Sequence, residues 1–339
     1  MEILKKLADN SGISGYENEF AKSLQKMLES YCSQVEINKT GSVVANFRNY
    51  DDNKKTILLE AHLDRIGLVV SEILENGFLK FKALGGVDDR TLPASEIYVL
   101  GKESIFGVIG ALPPHLKSGS SDDGFVKIQD MMIDTGFSKE ELKDKISVGD
   151  PVLLKCEFCE LLGSRVSSAA LDNRAGIAAI LCALDMLKTE DLKYNIKIAF
   201  TVGEELGLLG ARTIDCEDVD LAIVVDVTHG KTPDAKPEGT FVLGSGAIIC
   251  RGPNLDFGIT KKVIETAEKQ GILHDIEVSA GNTGTNAWVI QTLEQGIRCV
   301  LLSIPLRYMH TAVETIDTDD VKSVAKLIAE CVKGGDLLA

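Results

Sequence analysis

Two adjacent glutamates, Glu204 and Glu205, occupy the stretch TVGEELGLLG, between an apolar run and a glycine-rich turn. The preceding residues KIAFTV are typical of a short buried strand, so the two carboxylates fall where that strand ends. In α/β proteins, ligands bind at the carboxyl ends of strands. The sequence therefore predicts that this pair of like charges belongs to a binding or catalytic site.

Further polar residues occur abruptly at the ends of apolar strands or in tight turns. They are His62 and Asp64 in EAHLD, Asp172 in ALDNRAG, Asp226 in VVDVTHG and His310 in RYMHT. Zinc, cobalt and manganese accept mixtures of imidazole and carboxylate, and a hydrolytic two-metal site needs a bridging carboxylate and terminal ligands on each ion. Each residue alone is more readily explained as part of the core, a cap or a turn. Their repeated position at strand ends favours a joint metal site.

The eight cysteines are scattered through the chain, and a large, apparently unexported protein is expected to keep them reduced. One pair, Cys156 and Cys159 in KCEFCELL, has the C-x-x-C spacing of a zinc knuckle or a redox site. No second pair accompanies it, so we interpret both residues as buried thiols without a function.

Composition indicates a globular chain with a large core, since 45% of the 339 residues are hydrophobic and 26% are charged. This length is enough for two domains. The formal net charge of -15 at pH 7 argues against nucleic acid or an anionic membrane as a partner, because such surfaces are bound by concentrated Lys and Arg. The amino terminus lacks the apolar region of a signal peptide, and no segment approaches the ~20 apolar residues that span a bilayer. We therefore expect a cytoplasmic location.

The elements that must position these residues change character along the chain. Helices alternate with apolar strands before residue 70 and after residue 160, and this pattern is typical of α/β proteins. Between them, short runs such as FLKFKAL and SIFGVIGAL alternate with Gly, Pro and Asp, which favours a small β-barrel-like module. We therefore predict an α/β fold with a discontinuous catalytic domain, 1–69 and 161–339, and an inserted β-rich domain, 70–160. Near the start of the chain, Ser14 and Glu17 predict a capping box ahead of an amphipathic helix.

The motifs occur in an order that resembles one known family. AHLD, GGVDDR, PPHL, ALDNRAG, TVGEELGLLGA, VVDVTHG and SIPLRYMHTAVETID follow the motifs of the M42 family of metallo-aminopeptidases, relatives of glutamyl aminopeptidase and of the tetrahedral TET peptidases. The resemblance covers essentially the whole chain. It implies a mixed-sheet, zinc-peptidase-like catalytic domain with an inserted β-barrel-like dimerisation domain. It also implies an aminopeptidase that hydrolyses the N-terminal peptide bond of peptides with a free N-terminus, and a homo-oligomer, either a dimer or a dodecameric tetrahedral cage built from dimers.

The resemblance also implies a role for each polar residue at the strand ends. Metal ligands are implied at five positions, with His62 and Asp226 on one ion, Glu205 and His310 on the other, and Asp172 as the bridge. Glu204 resembles the general base that takes a proton from a metal-bridging water and hands it to the leaving amine. Asp64 resembles the carboxylate that orients a ligating imidazole. The implied cofactors are two divalent ions per subunit, Zn, Co or Mn.

Three positions depart from the family's usual residues, namely Arg65, Gly203 and Asn286, where relatives commonly have Glu, Gln and Asp. The five implied ligands are retained, so these departures bear on substrate preference and not on metal binding. His229 in DVTHG is predicted to be a solvated or capping histidine, since five ligands complete the expected set. For Arg307, a role in the substrate pocket and a structural ion pair both remain open.

Two other functions remain open on the sequence alone. A glycoside hydrolase could use Glu204 and Glu205 as its carboxylate pair, but that chemistry needs carboxyl groups about 5–9.5 Å apart across a sugar. The chain has one Trp and 5% aromatic residues, which gives little material for sugar stacking. A catalytically silent scaffold of the same fold could keep a structural metal, but Glu204, the implied general base, is present.

Overall fold

The computed structural model describes residues 2–111 and 126–338. The motif PPHL at 113–116, which includes His115, lies outside the described residues. The helices of the described part are α1 (Glu2–Ala8), α2 (Asn18–Leu28), α3 (Lys139–Leu142), α4 (Leu171–Leu187), α5 (Phe257–Lys269), α6 (Ala287–Ile290) and α7 (Thr318–Gly334). None of these helices combines the length and apolar character required to cross a bilayer.

The strands belong to two sheets. The strands of the main sheet are β1 (Cys32–Ile37), β2 (Val43–Phe47), β3 (Thr56–His62), β10 (Cys159–Glu160), β11 (Arg165–Ser168), β12 (Asn195–Thr201), β13 (Val219–His229), β14 (Ala247–Arg251), β15 (His274–Val278), β16 (Arg298–Arg307) and β17 (Glu314–Asp317). The strands of the second sheet are β4 (Gly67–Ile73), β5 (Leu79–Leu84), β6 (Glu96–Leu100), β7 (Ser104–Gly110), β8 (Met132–Asp134) and β9 (Pro151–Leu154).

The main sheet is mixed and has the order β1-β2-β12-β3-β13-β16-β17-β11-β10, with β14 beside β16 and β15 beside β14. Its central strands β12, β3, β13 and β16 run parallel. β3 and β12 are buried along their whole length, as expected for parallel strands covered on both faces. Ile57 and Leu59 of β3 pack into a core that includes residues of α1, α2, α4 and α7. Leu58, on the opposite face, packs into a second core with residues of α6.

The second sheet closes into a barrel with the strand order β4-β5-β8-β7-β6-β9 in the described residues. β7 shows the alternation expected of a barrel wall, because Ile105 and Ile109 are buried whereas Phe106 and Val108 are exposed. The chain leaves the main sheet after β3 and returns to it at β10. The predicted α/β fold with a mixed sheet and a β barrel is confirmed. The domain boundaries at residues 70 and 160 stay a prediction, and the first barrel strand begins at Gly67.

The predicted capping box at the start of α2 is wrong. The side chain of Glu17 makes no capping hydrogen bond at this helix. Instead, the Ser14 hydroxyl donates to Oδ2 of Asp64 at 2.6 Å, and Oε1 of Glu17 accepts from the N–H of Gly203 at 3.1 Å. Both side chains instead form hydrogen bonds with groups near the strand ends, because an unpaired polar group costs more free energy in the interior than at an exposed helix end. Ser14 and Glu17 therefore fasten the amino-terminal segment to the predicted site.

The two cysteines of the C-x-x-C pair differ in exposure. Cys156 is half-buried, whereas Cys159 is exposed on β10. The interpretation of both residues as buried thiols is therefore wrong for Cys159. The reason is its position, since β10 ends the strand order of the main sheet.

Candidate metal centre

Neighbouring parallel strands bring the predicted residues to one edge of the main sheet. His62 is the last residue of β3, and Glu204 and Glu205 follow the adjacent strand β12. Asp226 lies on β13, on the other side of β3, and His310 follows β16, which pairs with β13. Because the carboxyl ends of parallel strands share an edge, residues far apart in the sequence meet there.

His62, Asp172 and Asp226 form a first cluster of candidate metal ligands. Nε2 of His62 lies 3.0 Å from Oδ1 of Asp172 and 3.8 Å from Oδ1 of Asp226. One ligand atom from each residue lies within 4.8 Å of the other two, and the three side chains are buried. One imidazole and two carboxylates at this spacing suit a divalent transition metal.

Asp172, Glu205 and His310 form a second cluster. Nε2 of His310 lies 3.5 Å from Oδ2 of Asp172 and 3.4 Å from Oε2 of Glu205. Their ligand atoms also lie within 4.8 Å of one another. Asp172 thus belongs to both clusters, with Oδ1 close to His62 and Oδ2 close to His310. This is the arrangement that a bridging carboxylate requires.

The backbone around Asp172 holds it between the clusters. Asp172 lies in the first turn of α4, where its φ of -82° and ψ of 103° are not helical, and its peptide bond to Asn173 is cis. The Asn173 amide donates to the carbonyl of Val225 at 2.8 Å, and its oxygen accepts from the N–H of Gly176 at 3.0 Å. The start of α4 is therefore fastened to β13, the strand that carries Asp226.

A backbone carbonyl engages one ring nitrogen of each clustered histidine. Nδ1 of His62 lies 3.1 Å from the carbonyl oxygen of Asp64, and Nδ1 of His310 lies 3.0 Å from that of Gly86. A carbonyl oxygen only accepts, so each Nδ1 carries the hydrogen. In the neutral ring, Nε2 then directs its lone pair toward the cluster, as a metal ligand must.

Asp64 holds the backbone of the two adjacent glutamates. Its Oδ1 accepts from the N–H of Glu204 at 3.0 Å, and its Oδ2 accepts from the N–H of Glu205 at 3.1 Å. Burial alone would raise the pKa of Asp64, but interactions with His62, Ser14 and these amides lower it below its usual value. The buried Asp64 carboxylate therefore stays ionised and fixes where both glutamate side chains start.

Without cations, the buried carboxylates of the site could not all stay ionised. Burial and nearby carboxylates raise the pKa of Glu204 to about 9, against the opposing effect of His62. Burial and the charge of Asp172 raise the pKa of Glu205 to about 8. A hydrogen bond that the His310 imidazole donates to the Asp172 carboxylate is the main cause that raises the pKa of His310 to about 9. Divalent cations would balance this cluster of oxygen and imidazole ligands, which therefore fits a metal centre.

Glu314 is a site residue that sequence reasoning missed. Its Oε1 accepts from the N–H of His310 at 3.0 Å, and its Oε2 accepts from the N–H of Asp172 at 3.1 Å. Burial and the charge of Asp172 raise its pKa to about 8. Glu314 thus joins the backbones of a residue in the second cluster and of the shared aspartate. The only sequence signal was its place four residues after His310 in the same motif.

The residues of both clusters line a cavity of about 670 Å³. Its wall also includes Glu204, Thr228, Glu277 and Trp288. The cavity is large enough for the side chain and backbone of an amino acid at the metal clusters. It therefore offers a substrate site that opens directly onto the candidate metal ligands.

The remaining residues singled out in the sequence lie around this site. His229 is exposed and lines the cavity but belongs to neither cluster. The Asn286 amide is buried and donates to Oε1 of Glu60 at 2.7 Å and to the Thr201 hydroxyl at 2.9 Å. Arg307 donates to the carbonyl of Lys231 at 2.6 Å, and no ion pair of Arg307 occurs within residues 2–111 and 126–338. Arg65 is buried, and Gly203 has a φ of 62°.

Comparisons with known proteins give one consistent result. A profile of the family described as M42 glutamyl aminopeptidase matches residues 41–327. The chain is 33% identical to a lysyl aminopeptidase of Pyrococcus furiosus, over 96% of this chain and 94% of the relative.

Solved structures agree with the sequence relatives. The fold is similar to a TET aminopeptidase from a marine sediment archaeon of the Thaumarchaeota, with a TM-score of 0.92 and 28% identity over 98% of this chain and 95% of that chain. It is also similar to the TET1 peptidase of Pyrococcus horikoshii, with a TM-score of 0.85 and 32% identity over 98% of each chain. That peptidase can assemble into a tetrahedron or a large octahedral shell.

Proposed function

The chain belongs to the M42 family and is an aminopeptidase, and we propose that it cleaves the N-terminal peptide bond of peptides with two divalent metal ions. The observation that carries the proposal is the pair of ligand clusters that share Asp172. His62 and Asp226 would complete the ligands of one ion, and Glu205 and His310 those of the other. Zn, Co and Mn suit this mixture of imidazole and carboxylate ligands.

Glu204 is the proposed general base. It lines the same cavity as the ligands but belongs to neither cluster, so its carboxylate is free to act on a reacting group. When bound, the divalent ions supply Lewis acidity, which polarises a carbonyl group and lowers the pKa of water. The Glu204 carboxylate accepts a proton from the attacking water and returns it to the leaving amine. Asp64, through the backbone N–H of Glu204, acts as a positioning residue for this step.

The acidic residues of the cavity wall support the proposal that the substrate is a peptide with a free N-terminus. Five carboxylates line it: those of Asp172, Glu205 and Asp226 belong to the clusters, whereas those of Glu204 and Glu277 do not and would keep their charge beside bound metal ions. A substrate that brings a protonated α-amine would meet complementary charge there. An internal peptide segment has no such charge on its backbone, so cleavage is proposed to start at the first bond.

We further propose that the active enzyme is a homo-oligomer with the barrel at its dimer contact. The outer wall of the barrel exposes three large apolar side chains, Phe106, Val108 and Met132, with exposed fractions of 44%, 38% and 36%. Adjacent apolar residues on one surface are typical of subunit contacts. The reported assembly of the similar Pyrococcus horikoshii peptidase into closed shells also supports an oligomer.

The experiment that tests the metal proposal combines chelation with metal counting. Exhaustive chelation should abolish hydrolysis of aminoacyl chromogenic substrates, and Zn, Co or Mn should restore it. Metal analysis of the restored protein should give two ions per subunit. His62→Ala and His310→Ala should each lower that number toward one, since each removes a ligand of a different ion. His274→Ala is the matched control and should keep both ions, because its Nδ1 lies 3.0 Å from the Ile272 carbonyl and His274 belongs to neither cluster.

Three outcomes would contradict the proposal. Full activity of thoroughly metal-free protein would remove the metals from the reaction. Hydrolysis of glycosides without hydrolysis of aminoacyl substrates would restore the carboxylate-pair alternative. A protein that binds two ions but cleaves no aminoacyl substrate would be the silent scaffold. The cytoplasmic location stays a prediction.

A further inference from the structure

The cavity extends beyond the metal clusters to a carboxylate that the proposed reaction does not use. Glu277 lies on β15, paired with Cys250 of β14, and both residues line the cavity. Its Oε1 accepts from the hydroxyl of Thr228 at 3.0 Å. In the described part of the chain, no lysine or arginine lies within ion-pair distance of Glu277. The half-buried Glu277 carboxylate therefore lines the cavity without a lysine or arginine partner in the described residues. Burial raises its pKa, against the opposing effects of Thr228 and of His229 on the same cavity wall.

The register of the strands places Glu277 at side-chain reach from the clusters. Asp226 and Thr228 are two residues apart on β13, so their side chains point to the same face, roughly 7 Å apart along the strand. Thr228 in turn holds Glu277. A substrate whose α-carbon sits near the clusters would thus find Glu277 about one long side chain away, which is the reach of the four-carbon stem of lysine.

Part of the cavity wall that includes Glu277 is apolar. Cys250 and Leu301 line it and belong to one buried apolar core. Trp288 lines the same cavity and is 38% exposed. A cavity wall that combines apolar residues with the Glu277 carboxylate matches a side chain with a hydrocarbon stem and a cationic end.

The basic residues of the cavity wall are more exposed than Glu277. Arg212 and His229 line the cavity but are exposed to solvent. A glutamate or aspartate side chain directed along the apolar wall would meet the carboxylate of Glu277 instead. An uncharged side chain would fill the wall but would leave that carboxylate desolvated and unpaired, which costs binding free energy.

We propose that Glu277 determines substrate specificity, and that the enzyme prefers peptides whose N-terminal residue is lysine or arginine. The proposal rests on the proposed aminopeptidase function, because it takes the clusters as the place where the first peptide bond is cleaved. Glu277 pairs with the ammonium or guanidinium group, while Thr228 holds its other oxygen.

A panel of substrates on metal-reconstituted protein tests this preference. The p-nitroanilides of lysine, arginine, norleucine, leucine and glutamate cover cationic, apolar and acidic side chains, and norleucine matches the stem of lysine without its charge. For the wild type, kcat/KM for lysine and arginine should exceed that for norleucine by about 10-fold or more. Glu277→Gln keeps the size of the side chain and should lower the lysine-to-norleucine ratio by about 10- to 100-fold.

Asp275→Asn is the matched control for Glu277→Gln. Asp275 lies on the same strand and is exposed, but it does not line the cavity, so the lysine-to-norleucine ratio should not change. Metal content of both variants should equal that of the wild type, which separates an effect on specificity from a loss of metal. A wild type that prefers leucine or glutamate, or a Glu277→Gln variant with an unchanged ratio, would overturn the proposal. Lack of activity on every substrate would instead count against the aminopeptidase assignment.

Discussion

The contacts around Asp172 distinguish the roles of the adjacent residues Glu204 and Glu205. Its Oδ2 lies near His310, which also contacts Glu205, so Glu205 belongs to a ligand cluster. Glu204 follows the same strand but takes part in neither cluster. Adjacent like charges are thus tolerated because one would be balanced by a metal ion and the other would face the reacting water.

Substitution by glutamine should impair the enzyme differently at Glu204 and at Glu205. Glu204→Gln removes the proton acceptor but keeps the shape, so kcat should fall on the order of 10²–10⁴-fold with both metal ions retained. Glu205→Gln replaces an anionic ligand by a neutral amide, so the second ion should be lost first and excess metal should restore part of the rate. Kinetics and metal analysis of the purified variants provide the measurement.

The control for this pair is Glu217→Gln, which changes an exposed glutamate outside the cavity. It should keep wild-type kinetics and both ions. If Glu204→Gln loses a metal and Glu205→Gln keeps both, the two roles are reversed. If both variants stay fully active, the two-metal mechanism fails.

Glu314 is expected to hold residues of both ligand clusters in position through their backbone N–H groups. Glutamine has one carbonyl oxygen, so Glu314→Gln can no longer accept from both Asp172 and His310. We expect metal affinity to fall by about 10- to 100-fold while the variant stays folded. Titration of the metal-free variant with Zn, followed by circular dichroism, measures both properties. Unchanged metal affinity would show that Glu314 does not position the ligands.

Much of the candidate site could be predicted from the sequence, but the groups that orient its ligands could not. His62 and Asp226 could be picked out because each interrupts a strongly apolar strand near its end. Glu314 could not, since it begins a short strand and acts only through the N–H groups of residues elsewhere in the chain. Ser14 was assigned to a helix cap because its partner Asp64 is 50 residues away. Hydrogen bonds across such separations have no local signal.

At the scale of elements, the barrel and the metal site meet at Gly86, in the segment after β5. Its carbonyl accepts from Nδ1 of His310, and a Cβ at this position would lie 2.7 Å from the same atom. Gly86→Ala should therefore displace the imidazole and lower kcat/KM by about 10-fold or more, with loss of the second metal ion. Gly110→Ala is the control, because a Cβ there meets no atom of residues 2–111 and 126–338 within 4 Å. Equal activity and metal content of the two variants would contradict this role of Gly86.

Asp320 ties the first turn of α7 to the loop before β14. Its oxygens accept from the N–H groups of Gly244 at 2.8 Å and Gly246 at 2.7 Å, and burial raises its pKa to about 6. The pKa is raised on folding, so the folded state binds the proton more tightly and this group's contribution to stability falls as pH rises from about 4 to about 6. The free energy of unfolding of the wild type, relative to Asp320→Asn, should fall by up to about 3 kcal/mol over that window.

Denaturant unfolding at pH 4, 5, 6 and 7 measures this difference. Asp319→Asn is the control on the same turn. Hydrogen bonding to Lys322 lowers the pKa of the exposed Asp319, so the contribution of Asp319 should grow with pH and carry the opposite sign. A difference between the wild type and Asp320→Asn that is independent of pH would contradict the assignment.

At the scale of the whole molecule, the exposed apolar wall of the barrel predicts how subunits meet. Phe106→Glu combined with Val108→Glu puts two charges on that wall, so the oligomer should dissociate toward smaller species. The fold should be kept, because both side chains point away from the barrel core. Light scattering on the purified variant gives the mass. Val148→Glu, on the loop before β9, is the control, since Val148 is 62% exposed; dissociation by this change alone would move the contact to that loop.

The general architecture could be predicted from the sequence because residues 70–160 differ in pattern from the residues on either side of them. The apolar run KIAFTV predicted a buried strand, and the alternation of short β-rich runs such as SIFGVIGAL with Gly, Pro and Asp predicted a β-barrel-like module. The strand order of the main sheet could not be predicted, because β16 and β17 return beside β13 and β11 from the far end of the chain. Such pairings depend on long-range packing that no single segment encodes.

The contact between Gly86 and His310 also affects how the enzyme matures. A newly made chain whose barrel has not yet closed lacks the acceptor that orients this imidazole. We expect such a chain to load its second ion poorly and to remain inactive. An immature aminopeptidase would then be harmless to the free amino termini of other nascent proteins. We expect proteolytic competence to be acquired only after the barrel has folded.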